Sequence, residues 1–242
     1  MTLRLRRVET RELTRVSSFG AIYTMFRAIP FAKLVGLSGF ITSSGFIAPA
    51  LGVLLAPSTV VFSVALGTTI AFVFPWHPVK FFGLDFVPGA VYALIISLLV
   101  RGRRFEAVAT YVSLILLFMA NPNTLIFVGE TLGSPPVPYL WMHLLALVVL
   151  ISPLSSRAVE WLTSSSRSLV ARGIAILAFI GTMAEHVAGG VLTALVLGPG
   201  AVKVWPAIFL LYPVERIVIV VAAAIVSTAL LRSLKGLESR IA

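Results

Sequence analysis

The chain has 242 residues, of which 59% are apolar and only 12% charged, and its mean hydropathy is +1.04. That excludes an ordinary water-soluble domain, in which charged residues make up about a quarter. The net charge of +10 does not point to nucleic acid, because the arginines stand in short clusters beside apolar runs, where anionic headgroups attract them. With no cysteine there is no disulfide, thiolate metal site or cysteine nucleophile.

A bilayer crossing needs about 20 residues at 1.5 Å rise, fewer where neighbours bury the helix. The apolar runs predict an all-α fold, a polytopic membrane helix bundle of about eight segments forming one membrane domain over residues 1–242. A basic tail fills 1–15, and the first segment spans Val16 to Pro30; Arg27 interrupts it and no small-x-small cleavage site follows, so it reads as an uncleaved span. The second, Gly39 to Ala56, begins with Thr42, Ser43, Ser44 and Gly45 and contains Pro49, which predicts a distorted helix beside a cavity or protein. Pro57 and Ser58 make a tight turn into the third segment, Ser58 to Pro75.

The fourth, Asp85 to Val100, opens with Asp85 as a helix cap and Pro88 in the first turn. Residues 105–151 read as a helical hairpin of Phe105 to Ala120 and Pro138 to Ile151, joined by an external loop that starts at Asn121-Pro122-Asn123 and contains Gly133, Pro135 and Pro136. A short segment from Leu154 to Ser166 is expected along the membrane surface, followed by Leu169 to Leu197 and Trp205 to Leu231. Trp76, Tyr139, Trp141, Trp205 and Tyr212 are expected to form an interfacial aromatic belt on the outer side.

Orientation follows from the basic residues. With a cytoplasmic N-terminus, Arg4, Arg6, Arg7, Arg11 and Arg15, the Arg101/Arg103/Arg104 turn, Arg157, Arg167, Arg172, Arg232, Lys235 and Arg240 fall inside. Only Lys33, Lys80 and Lys203 fall outside, so both termini are expected in the cytoplasm.

Ionisable groups at membrane depth cost about 2.5 to 3.5 kcal/mol each on insertion scales and therefore seek the bundle interior and one another. Arg27, Glu185, His186, Glu215 and Arg216 all fall in the outer half by residue count, at the same end as Asp85 and His77. If their helices are neighbours they share a polar pocket open to the outside, and with Tyr212 they form the candidate substrate-binding set. The same groups also suit a structural ion-pair network that binds nothing. Small residues at four-residue spacing, Thr59/Ser63/Gly67/Ala71, Gly89/Ala93/Ser97 and Gly181/Glu185/Gly189/Thr193, predict close helix approach.

The cadence GFI, APALGVLLAPS, VALGTTIAF and FFGLDFVPGAVYALIISLLVRGRR between Gly39 and Arg104, with IGTMAEHVAGG and WPAIFLLYPVERIV near the end, resembles the membrane-embedded S component of energy-coupling factor transporters. The resemblance implies capture of a small water-soluble nutrient, with a transmembrane coupling subunit and two cytoplasmic ATPases as partners. It implies a coupling contact through small residues of the first helix, here Ser17, Gly20, Ala21 and Thr24, in place of the family's alanine pair. Family members have six helices, so residues 105–151 would be an inserted hairpin. No cofactor or metal is expected, and membrane lipid is the surrounding partner.

Two other functions compete. One is an ion- or proton-coupled carrier relaying through Glu185, His186 and Glu215, although the two halves show no convincing repeat. The other is a membrane-embedded enzyme acting on a lipid, with Glu185 and His186 as acid and base, although no HExxH arrangement is present. The chain carries no G-x-x-x-x-G-K-[ST] loop, which suits a subunit energised by partners.

Overall fold

The computed structural model describes residues 10–129 and 135–241, with side chains up to 234. Arg4, Arg6, Arg7 and Gly133 lie outside the described residues, as do the side chains of Lys235 and Arg240. The fold is mostly helical. In chain order come α1 (Thr10–Arg27), β1 (Pro30–Lys33), β2 (Phe40–Thr42), α2 (Ser44–Leu54), α3 (Pro57–Ala71), α4 (Val87–Val100) and α5 (Arg104–Ala120). Then follow β3 (Phe127–Val128), β4 (Val137–Pro138), α6 (Trp141–Ile151), α7 (Pro153–Trp161), α8 (Arg167–Leu197), a 3-10 turn (Gly198–Lys203) and α9 (Trp205–Ile241).

The expected eight full spans are not what the helices themselves deliver. Among the described residues, Arg167–Lys203 and Trp205–Leu234 are long and apolar enough to cross a membrane, and α6 with α7 would be a third if a 71° bend is counted within one span. The apolar helices α2, α3 and α4 are shorter. Two features consume the missing length. Residues expected to open the second span pair instead as the antiparallel hairpin β1–β2, with Pro30 opposite Thr42 and Lys33 opposite Phe40, and the third span stops at Ala71, where an irregular connection runs to Val87.

α8 is the central element, packed against α4, α9, α7, α5 and α6. Gly181 makes the α4 contact possible, because a Cβ there would overlap the Tyr92 ring. α1 lies along α3 with Gly20 over Ser63 and Thr24 over Gly67, so the two helices run parallel. A Cβ at Gly67 would come 2.6 Å from the Gly20 carbonyl oxygen. The expected small-residue stripe of α3, Thr59/Ser63/Gly67/Ala71, is buried throughout.

The distortion expected around Pro49 has a specific remedy. Ser227 of α9 inserts its hydroxyl into α2, accepting from the Ala50 N–H (3.3 Å) and donating to the Phe46 carbonyl (2.8 Å). A polar group from a neighbouring helix thus satisfies backbone beside a proline, as an apolar surround requires.

At the end of the bundle opposite the hairpin, arginines bind terminal carbonyls. Arg101 donates to Gly52 and Ser97, Arg104 to Ser152, and Arg232 to Ser165. Large apolar side chains face outward on several helices, including Phe62, Leu66 and Ile70 on α3, Leu144, Leu145 and Val148 on α6, and Leu210, Val214, Ile217, Val221 and Ile225 on α9. The α9 set recurs at three- and four-residue steps, an uninterrupted apolar stripe that water would not tolerate on a monomer.

The aromatic belt divides. Trp76 and Trp141 are exposed (42% and 41%), whereas Tyr139, Trp205 and Tyr212 (1%, 1% and 0%) are interior. There they stack with Phe118, His143 and His186 at the bundle end, where Trp205 Nε1 donates to the Asn123 carbonyl and Tyr139 follows the paired β3 and β4.

Candidate functional site

A cavity of about 160 Å³ lies beneath the β1–β2 hairpin, between the end of α1, the starts of α2 and α4, the second half of α8 and the first half of α9. Of the residues expected from the sequence, Arg27, Asp85, Glu185, His186, Glu215 and Arg216 line it. Tyr212 does not; its ring stacks on His186 at 4.7 Å from behind, and its hydroxyl donates to the Tyr139 carbonyl at 3.1 Å.

Each charged group reaches the cavity for a local reason. Arg27 is the last residue of α1, where Trp76 Nε1 donates to the Ala28 carbonyl and Ser43 Oγ to the Phe26 carbonyl, tying the helix end to the hairpin and the α3–α4 connection. Glu185, Gly189 and Thr193 lie one helical turn apart on α8. A Cβ at Gly189 would touch only Pro88 Cγ, at 3.9 Å, so this glycine leaves the space open. Glu215 and Arg216 come from α9 beyond Pro213.

Arg216 is buried and divides its guanidinium between two carboxylates. Nη1 lies 3.3 Å from Glu185 Oε2 and 3.1 Å from Thr182 Oγ1, while Nη2 lies 3.9 Å from Glu215 Oε2. Thr182 also contacts Glu185 Oε2 at 3.4 Å. An ion-pair network and a void therefore coexist in one place.

Asp85 has a different job from the one expected. Its carboxylate accepts from the backbone N–H groups of Lys80 (3.0 and 3.2 Å) and Phe81 (3.0 Å), preceding residues of the connection, whereas α4 starts after Phe86. The side chain folds the loop that carries Lys80 into the cavity wall.

Lys80 is a cavity-lining residue absent from the set expected from the sequence, where an external lysine counts only as an orientation signal. Burial first, and repulsion from Arg27 second, push its ammonium down to about 8 against the opposing pull of Asp85. His77, buried beside the same cations, is shifted below its usual value, again mainly by burial. Lys80 lies across Gly39, whose φ of +104° favours glycine, and a Cβ there would sit 2.5 Å from Lys80 Cε and displace that side chain.

The remaining wall is apolar or small, with Phe40, Phe81, Trp205 and Ile208 facing polar Thr42 and Ser44. Behind it, His143 Nε2 and His186 Nδ1 are 2.9 Å apart. Among the described residues no three His, Asp or Glu side chains gather as a metal site. The chemistry on offer is recognition of a small ligand with both polar and ring character.

The small residues of α1 split by face. Gly20 and Thr24 are turned inward onto α3, where Thr24 Oγ1 donates to the Gly20 and Gly67 carbonyls, while Ser17 and Ala21 are exposed. Only the latter two are free to meet another protein.

Compared with known proteins, the chain matches no family model, no curated protein and no solved structure.

Proposed function

We propose that the chain is a membrane-embedded substrate-binding subunit that captures a small water-soluble nutrient on the outer side for ATP-driven uptake by partner subunits, as its resemblance to S components implies. The supporting observation is the convergence of Arg27, Lys80, Asp85, Glu185, Glu215 and Arg216 on one cavity, from elements far apart in sequence. A chain needing these charges only for packing has no use for the space that Gly189 keeps open. In this reading the chain crosses the cell membrane several times, with the shorter apolar helices completing their crossings through the hairpin and loops. Both termini are cytoplasmic, and the exposed Ser17/Ala21 face of α1 meets the coupling subunit.

A second reading, a proton-coupled carrier, draws support from the His143–His186 contact next to Glu185. Affinity purification from the native host in mild detergent separates the two. Recovery of a second membrane subunit with ATPases is the expected result; uptake driven by a proton gradient in liposomes holding this chain alone would overturn the proposal.

A further inference from the structure

The charges around the cavity are not equally committed. Asp85 is occupied by three contacts from backbone N–H groups, and Glu185 and Glu215 share Arg216. Among the described residues neither Arg27 nor Lys80 has a carboxylate within 4.0 Å. Among the described residues, the Nε of Arg27 is buried without an acceptor, and Lys80 Nζ reaches only the Phe40 carbonyl, at 3.5 Å. Both line the cavity, and Arg27 raises the cost of the charge on Lys80. Two half-buried cations that no carboxylate pairs with are a site for an acceptor-only group.

Size narrows the ligand. An apolar protein cavity of about 150 Å³ holds a benzene-sized molecule, and this one measures about 160 Å³ with Phe40, Phe81 and Trp205 in its walls. We propose that the cavity takes a soluble single-ring compound carrying an oxyanion, a carboxylate or phosphate, bound between Arg27 and Lys80 with the ring against the aromatic wall. This rests on the capture reading above and assigns the class of substrate. Arg216 with Glu185 and Glu215 carries one formal negative charge, which repels an anion and leaves its position to the Arg27 and Lys80 side.

The test uses the full-length protein in detergent with benzoate and its neutral isostere benzamide, by calorimetry and by shift of melting temperature, with inorganic phosphate alongside. Benzoate is expected to bind roughly tenfold more tightly than benzamide, since hydrogen bonds to charged groups are worth that much or more. Lys80→Gln and Arg27→Gln should each erase most of that preference without changing benzamide binding, and Lys80→Arg should keep it. Lys80 lies in a loop, so its variants remain informative if Arg27→Gln fails to fold. Equal binding of the two probes, a preference surviving both substitutions, or no stabilisation by either benzoate or phosphate at millimolar concentration overturns the assignment. Failure of nutrient capture as such would show differently, as absence of partner subunits alongside an intact benzoate preference.

Discussion

Arg216 holds two acids at once, so removing it is more damaging than its single charge suggests. Arg216→Met leaves Glu185 desolvated beside Thr182 with no cation in contact. Breaking a buried pair from one side costs about 3 to 5 kcal/mol, whereas replacing both partners by apolar groups is often neutral. The expected outcome is a clear loss of thermal stability in Arg216→Met and partial recovery in Arg216→Met/Glu185→Leu, in which Glu215 still lacks its cation, measured by unfolding of the purified protein in detergent. A double variant as unstable as the single one would remove the pairing from the account.

Residue by residue, the sequence grouped the charges better than it assigned their contacts. Counting helical rise placed Arg27, Glu185, Glu215 and Arg216 at one level, and the fold brings them to one cavity. It could not reveal which acid serves which donor. Asp85 bonds backward to Lys80 and Phe81 because the φ of +53° at Phe82 and +89° at Gly83 curl the loop over the carboxylate, a conformation with no signature in residue type at Phe82. Tyr212 and Trp205 look interfacial by composition, yet their partners include Asn123, Tyr139 and His186, distant in sequence.

At the level of elements, glycine positions decide how close helices lie. The α1–α3 pair depends on Gly67, whose missing side chain admits the Gly20 carbonyl. Gly67→Ala should force the helices apart and lower stability by roughly 1 to 3 kcal/mol, the usual cost of overpacking. Gly189→Ala, facing the cavity, should leave stability nearly unchanged. Comparison of the two melting temperatures checks both statements.

Elements bounded by strong breakers were the most legible. α9 begins at Trp205 as expected, and α8 ends at Leu197 because Gly198-Pro199-Gly200 follows. The β1–β2 hairpin was hidden, since Phe40, Ile41 and Thr42 make as good an apolar run for a helix as for a strand. What favours the strand is the pairing of Lys33 with Phe40 across Gly36 and Gly39, both at positive φ. The expected surface segment after Leu154 proves to be α7, set at 71° to α6 where Pro153 starts a new helix on the Ser152 cap.

For the whole molecule, orientation is open to a direct experiment because the chain contains no cysteine. Lys203→Cys and Arg103→Cys place single thiols at opposite ends of the bundle, in the 3-10 turn after α8 and in the α4–α5 turn. In intact cells an impermeant maleimide should label the first and spare the second; the reverse would invert the arrangement. The outward-facing apolar stripe of α9 and the carbonyl-binding arginines at the other end fit a molecule solvated by lipid along its flank and by headgroups at its base.

The central place of α8 has a consequence for biogenesis. Tyr92 waits for the notch at Gly181, Ala158 for Gly173, and Phe118 for Gly190, so α4, α7 and α5 all emerge from the ribosome before the surface they close upon exists. In a nascent chain arrested ahead of Arg167 the faces of α4, α5 and α7 that meet α8 are unfilled. The α1–α3 and α2–α4 packing precedes α8 in synthesis, whereas closure of α4, α5 and α7 on α8 is deferred to the last third.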